Sequence, residues 1–206
     1  MGNAVIILAG GLSSRFGQDK CMKELLGKPL ITHVLDRVAS LGNERIVVIG
    51  SETQRSSLPS TIQTRTKVVV DKYDDHSPLV GALTGFENTQ SEVALLLPCD
   101  AALVSLDIAS LLLDLGASRN AVIPRWPDGK IEPLQAAYNV KSAAIAAEAA
   151  LKEGKRDMLG MISHLRRICY VSTLVLQQLD PKLDTFLNIN TVQDWNKAEH
   201  LVRRTK

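Results

Sequence analysis

The segment Asn3-Ala4-Val5-Ile6-Ile7-Leu8-Ala9-Gly10-Gly11-Leu12-Ser13-Ser14-Arg15-Phe16-Gly17-Gln18-Asp19-Lys20 decides the fold. Ala4–Leu8 is a short apolar run that reads as a buried strand, and it passes directly into a loop rich in glycine and serine. In open α/β sheets ligands bind beyond the carboxyl ends of the strands, which makes this loop a candidate site. Gly10 and Gly11 lack a Cβ and allow close backbone approach, successive N–H groups can cradle phosphate, and Arg15 and Lys20 add fixed positive charge. The same residues also suit a plain strand-to-loop turn with solvated bases. Two basic residues so near the glycines favour phosphate.

Outward from this segment, Arg45–Ile49, Lys67–Val70, Glu92–Leu97 and Asn120–Ile123 read as further strands. Helices are expected over Leu30–Leu41, near Gln54–Leu58, over Leu79–Glu87 after Ser77-Pro78, over Leu106–Leu115 and Lys141–Gly154, and from Thr191 onward. Parallel neighbours need helical crossovers, so the alternation predicts an α/β fold: a doubly wound, mostly parallel sheet of Rossmann type. From Pro124 to Tyr138 a turn-rich stretch reads as a small hairpin-like insertion, with the second half decorating the first. No repeat, linker or low-complexity tract divides the chain, so residues 1–206 are expected to form a single domain.

Composition removes other classes. At 206 residues the chain can bury about 70 % of its unfolded surface without disulfides or metal. Lys and Arg number 24 against 22 Asp and Glu, a net of 24 − 22 = +2 with the signs interspersed, so no field recruits nucleic acid or an anionic membrane. Only 4 % of residues are aromatic, which argues against base-stacking platforms. Cys21, Cys99 and Cys169 are odd in number and far apart, without zinc-ligand spacing, as in a reduced chain. No leader-like or membrane-spanning segment is present, and a cytoplasmic location is expected.

Neither G-x-x-x-x-G-K-[ST] nor G-x-G-x-x-G occurs, so P-loop hydrolysis and dinucleotide oxidoreduction are disfavoured. Leu8 to Lys20 instead matches, without a gap, the nucleotidyltransferase pattern L-A-G-G-x-S-x-R-x-G-x-D-K. The chain resembles the molybdenum cofactor guanylyltransferases, the MobA-like nucleotidyltransferases. The likeness extends through Gly27-Lys28-Pro29-Leu30, Val70-Asp71, Pro78-Leu79-Val80-Gly81, Pro98-Cys99-Asp100, Glu132-Pro133-Leu134 and Asn188-Ile189-Asn190-Thr191.

That resemblance implies transfer of GMP from GTP to the terminal phosphate of molybdopterin, with Mg²⁺ as cofactor and pyrophosphate released. It implies a nucleotide-binding front half and an acceptor-binding back half, with cofactor-delivery proteins as further partners and a monomer or weak homo-oligomer. Rivals are a cytidylyltransferase acting on the same pterin, for which L-A-A-G is usual where this chain has Leu8-Ala9-Gly10-Gly11, and other small-molecule nucleotidyltransferases. A GTP-binding regulator or partner subunit is the rival outside enzymes.

Asp100 follows the apolar strand Val93–Leu97, so its carboxylate is expected at the same sheet edge as the glycine loop, as a Mg²⁺ ligand; the alternative is a cap on a helix beginning near Leu103. With Arg15 and Lys20 it forms the expected catalytic set. By resemblance Asp71 faces the nucleotide, and Leu8, Ala9, Gly10, Gly11, Pro78, Leu79 and Gly81 approach the base; a turn-forming Asp and an ordinary helix start are the alternatives. Asn188 and Asn190 alternate around Ile189, so both amides project to one side toward metal and phosphate, while Thr191 and Asp194 resemble a capping box.

Three departures from the family pattern matter. Gly50-Ser51 stands where an Asn often touches the nucleotide, leaving backbone or Ser51 to replace it. Ala101-Ala102 replaces a Thr or Met followed by Pro, which is expected to loosen that loop, and Glu132-Pro133 replaces His-Pro on the acceptor side. His33, His164 and His200 read as solvated, Cys99 as a small buried hydrophobe, and Lys155-Arg156 as surface charge or an anion contact.

Overall fold

The computed structural model describes residues 2–10, 20–71 and 77–204. In chain order its elements are β1 (Asn3–Leu8), β2 (Glu24–Leu25), β3 (Lys28–Pro29), α1 (Leu30–Arg37), β4 (Glu44–Ile49), α2 (Glu52–Ser57), α3 (Ser60–Arg65), β5 (Lys67–Val70) and α4 (Pro78–Glu87). There follow β6 (Val93–Pro98), α5 (Leu106–Gly116), β7 (Ala121–Arg125), β8 (Ala136–Asn139), α6 (Val140–Lys152), α7 (Met158–Ser163), β9 (Ile168–Ser172), α8 (Thr173–Leu176) and α9 (Val192–Arg204).

The main sheet runs β5-β4-β1-β6-β8-β7-β9. Neighbours among β5, β4, β1 and β6 are parallel, as are β7 and β9, and β8 alone opposes both its neighbours. The fold is therefore the doubly wound α/β class read from the alternation. Register brings Leu8 level with Val48 and Pro98, and Val70 level with Ile49, so four strands finish at one edge. Strand order reverses at β1, which has β4 and β5 on one side and β6 on the other. A crevice opens at such a switch point.

The hairpin-like stretch closes as expected, with Trp126 N donating to the Lys130 carbonyl at 2.8 Å, but its return strand corrects the decorative reading. β8 enters the sheet between β6 and β7, and the second half supplies β7, β8 and β9 of the same sheet. The cause is β6: Val93–Leu97 is buried on both faces and needs a partner on each edge, and the buried Ala136, Ala137 and Tyr138 fit against it.

Period-two alternation divides the core between the faces. Val5, Ile7, Val47, Leu95 and Leu97 pack toward α1 and α5, whereas Ile6, Val48, Leu96 and Tyr138 pack toward α4, α6 and α7. A smaller cluster joins Leu25 and Leu30 to Ala102, Leu103, Ile189, Ala198 and Val202, docking α9 against the β2–β3 hairpin. That hairpin turns through Leu26 and Gly27, both at positive φ (52° and 74°), as a two-residue primed turn requires. Among the described residues, no helix is long and apolar enough to cross a membrane.

Candidate active site

At the carboxyl edge of β1, β4 and β6 a cavity of about 170 Å³ is lined by Leu8, Ala9, Gly10, Lys20, Val48, Asp71, Ser77, Pro78, Gly81, Pro98 and Asp100, among others. It is far larger than the ~10–15 Å³ that admits one water. Nearly every residue singled out from the sequence in the first two-thirds of the described chain meets here. Gly11 and Arg15 lie outside the described residues.

Lys20 is the hub. Its Nζ is ion-paired with Asp100 and donates to Asn190 Oδ1 at 2.6 Å. Both members of the ion pair are mostly buried. The residues come from the segment after β1, the turn after β6 and the approach to α9, so the ammonium ties three distant parts of the chain together. An ammonium carries three donors, and among the described residues these two contacts use two of them, leaving one for an incoming anion.

Each partner is fixed by its backbone. Asp100 stands at the corner of a turn closed by Ala101 N donating to the Pro98 carbonyl at 3.2 Å. It caps no helix: α5 starts after Ser105, whose hydroxyl accepts from Ile108 N. The loosened loop expected from Ala101-Ala102 does not occur, because both alanines are fully buried and Val104 N donates to the Ala101 carbonyl at 3.0 Å. Asn190 follows Ile189, 1 % exposed in the small cluster, and precedes a capping box in which Asp194 Oδ2 accepts from Thr191 N at 2.8 Å while Thr191 Oγ1 accepts from Asp194 N at 3.1 Å. The hydrogen bonds from Thr191 and Asn190 outweigh the burial that would raise the Asp194 carboxyl, and hold it below its ordinary range.

Asn188 does not join Asn190. Its Oδ1 instead accepts from Gln135 Nε2 at 3.3 Å, on the β7–β8 side. Asp71 continues β5, its N–H donating to the Ile49 carbonyl at 2.8 Å, and its Oδ1 accepts from Thr84 Oγ1 at 2.8 Å, which aims the carboxylate across the face of α4. α4 starts where Ser77-Pro78 indicates, with the Ser77 hydroxyl accepting from Val80 N at 3.3 Å. Pro78 and Gly81 line the cavity, whereas Leu79 is fully buried in the core beneath it. A Cβ on Gly81 would stand 3.5 Å from Leu8 Cδ2 and 3.8 Å from Asp71 Oδ2, filling cavity space without touching backbone.

Other readings need correction. Ser51 does not face the cavity: its hydroxyl caps α2 by accepting from Gln54 N at 3.1 Å. His33 is not solvated but 9 % exposed, and its Nε2 bonds the Leu25 carbonyl at 2.9 Å. Burial there holds its pKa below the usual imidazole value. His164, Lys155 and Arg156 are exposed, as read: His164 and Lys155 pair with Glu153, and Arg156 donates to the Leu151 and Lys155 carbonyls. Cys99 is buried, as its small apolar character suggests.

Two residues at the site escaped the sequence. Cys21 Sγ donates to the Ala9 carbonyl at 3.2 Å, and Gln54 Nε2 donates to that carbonyl at 2.7 Å while its Oε1 accepts from Gly50 N at 2.8 Å. The signal available for Gln54 was Ser51-x-x-Gln54, a capping-box spacing.

The chain is similar in sequence and fold to known nucleotidyltransferases. A family described as the MobA-like NTP transferase domain matches residues 5–168. A probable molybdenum cofactor guanylyltransferase of Bacillus cereus is 31 % identical over 199 residues, covering 95 % of each chain. One of Methanosarcina mazei is 29 % identical over 93 % of this chain and 87 % of its own. Among solved structures, molybdopterin-guanine dinucleotide biosynthesis protein A from Archaeoglobus fulgidus superposes with a TM-score of 0.84 at 26 % identity, over 98 % of this chain and 99 % of that one. A cytidylyltransferase from Thermus thermophilus, TM-score 0.72 at 16 % identity over 98 % and 100 % of the two chains, shares the fold.

Proposed function

The chain belongs to the MobA-like NTP transferase family and is a nucleotidyltransferase, and from that premise we propose that it transfers GMP from GTP to the terminal phosphate of molybdopterin. The observation that carries the reading is the convergence of Lys20, Asp100 and Asn190 beside the Leu8–Gly10 backbone at the switch point of the sheet.

An oxygen of the acceptor phosphate attacks the α-phosphorus of GTP. As the new P–O bond forms, the bond from the α-phosphorus to the bridging oxygen breaks, and pyrophosphate leaves with that electron pair. A phosphate acceptor is already ionised at neutral pH, so no general base is needed. The protein orients the two phosphates and offsets their charge, which is the main route of catalysis in such transfers. Lys20 does this with its remaining donor, and the loop N–H groups add fixed dipoles.

The donor set suits a hard cation. The Asp100 carboxylate and the Asn190 amide oxygen converge on one ammonium, and among the described residues no group of three or more His, Cys, Asp or Glu would hold a metal unaided. A cation here would rely on substrate phosphates, as Mg²⁺ sites commonly do. When bound, Mg²⁺ would be held by Asp100 and would supply further neutralisation of phosphate charge.

Guanine presents a ring N–H and an amino group, for which the Asp71 carboxylate and the backbone near Gly10 are the acceptors within the cavity. In this reading the front half holds the nucleotide. The back half receives the acceptor near Asn188 and Gln135, whose buried Oε1 has no partner among the described residues. A polar site of this kind rejects an unmatched base by factors reaching about 10⁴. Incubation with molybdopterin, Mg²⁺ and equimolar GTP, CTP and ATP, with products identified by mass, is expected to give the guanine dinucleotide. A cytosine product would overturn the base assignment alone, and nucleotide binding without any product would favour a regulatory subunit.

A further inference from the structure

Gln54 sits at the third position of α2, three residues after its cap Ser51. In the usual capping box that side chain would return to the N–H of the cap residue itself. Here the carboxamide reaches one residue further: Oε1 accepts from Gly50 N at 2.8 Å, and Nε2 donates to the Ala9 carbonyl at 2.7 Å. One side chain thus clamps the end of β4 to the end of β1. Cys21 Sγ donates to the same carbonyl at 3.2 Å, so both lone pairs of the Ala9 oxygen are engaged by the protein.

A trans peptide is planar, with its C=O and N–H pointing in opposite directions, and no described peptide bond is cis. Fixing the Ala9 oxygen on Gln54 and Cys21 therefore turns the Gly10 N–H the other way. That N–H bonds no described backbone carbonyl, and both Ala9 and Gly10 line the cavity. The room is tight as well, since a Cβ on Gly10 would lie 3.2 Å from Gly50 N.

We propose that Gln54 is a positioning residue that sets the Ala9–Gly10 peptide so that the Gly10 N–H donates to the bound nucleotide. The inference rests on the nucleotidyltransferase reading but on neither base nor acceptor. Without the clamp the peptide can rotate and present its carbonyl, which repels a phosphate or a base oxygen.

The test compares wild type, Gln54→Ala and Gln54→Glu by calorimetric titration with GTP, CTP and ATP, by turnover with whichever nucleotide the wild type uses, and by thermal unfolding. Glu keeps the acceptor for Gly50 N and is a good capping-box residue, but it has no donor for the Ala9 carbonyl. Both variants are expected to weaken nucleotide binding by on the order of tenfold or more, raising KM with kcat little changed, because the Gly10 bond is made before and during the reaction. Gln54→Glu should unfold near the wild-type temperature. Wild-type affinity in Gln54→Glu would mean that Gln54 serves only the helix cap and would overturn the proposal, as would unchanged binding in Gln54→Ala. Failure of the wild type to bind any of the three nucleotides would instead sink the nucleotidyltransferase reading.

Discussion

Lys20 touches Asp100 and Asn190, 80 and 170 positions away in sequence, and each contact makes a separate demand on substitution. Lys20→Ala removes the cation proposed to face the phosphates and leaves the mostly buried Asp100 carboxylate without its ion-pair partner, so the transfer rate is expected to fall by on the order of a hundredfold or more and the unfolding temperature to fall with it. Asp100→Asn keeps the size and one acceptor for Lys20 but removes the charge, and turnover should be abolished even at saturating Mg²⁺. Steady-state rates alongside thermal unfolding check both, and an active Asp100→Asn protein would remove Asp100 from the metal site. His33 carries a pH signature of the fold. Burial first, then Lys28 and Arg37, depress its pKa against the opposing Leu25 bond and Asp36. The unfolded chain binds a proton near pH 6.5 that the native chain resists, so this stability is present above that pH and lost as pH falls through the folded value. Unfolding temperatures from pH 7 to 5 should drop less in His33→Gln than in wild type. Asp100, Asn190 and the Thr191–Asp194 capping box were legible from local chain direction, and Lys20 from its place in the Leu8–Lys20 pattern. His33 and Gln54 were not, because the partners that bury or bind them lie on other segments.

Two glycines one turn apart on α4 separate packing from function. A Cβ on Gly85 would lie 2.5 Å from Ile6 Cγ2 in the closed helix–sheet contact, whereas one on Gly81 meets side chains at ordinary distances and faces the cavity. Replacing a helical glycine by alanine gains about 1 kcal/mol of propensity, and overpacking a core costs about 1–3 kcal/mol. Gly85→Ala is therefore expected to be less stable than wild type by up to roughly 2 kcal/mol. Gly81→Ala should be at least as stable as wild type but bind nucleotide more weakly, and denaturant unfolding together with GTP titration distinguishes the two. The parallel strands β1, β4, β5 and β6 were readable as β-branched or apolar runs. β9 was not, since Ile168–Ser172 is half-exposed and follows a basic stretch, and β8 was hidden because small alanines carry little strand signal until β6 supplies the surface they fill. Helices α3 and α7, of six residues each, are too short for a periodic pattern.

The molecule gathers its site by topology. Parallel strands end at one edge, the order reverses at β1, and the small cluster under α9 carries Asn190 back to the first loop. The class of sheet follows from alternation alone, but the insertion of β8 between β6 and β7 is a long-range pairing that local patterns do not encode. The same holds for the separation of Asn188 from Asn190, which depends on where Gln135 arrives from β8's approach. The central claim is that the acceptor attacks the α-phosphorus of the nucleotide bound at this edge. It is tested most directly by following label from α-³²P and γ-³²P GTP in parallel reactions with molybdopterin and Mg²⁺. The α label is expected in the dinucleotide and the γ label in pyrophosphate, both dependent on acceptor. Release of the γ label as inorganic phosphate, with the α label left in GDP, would contradict it.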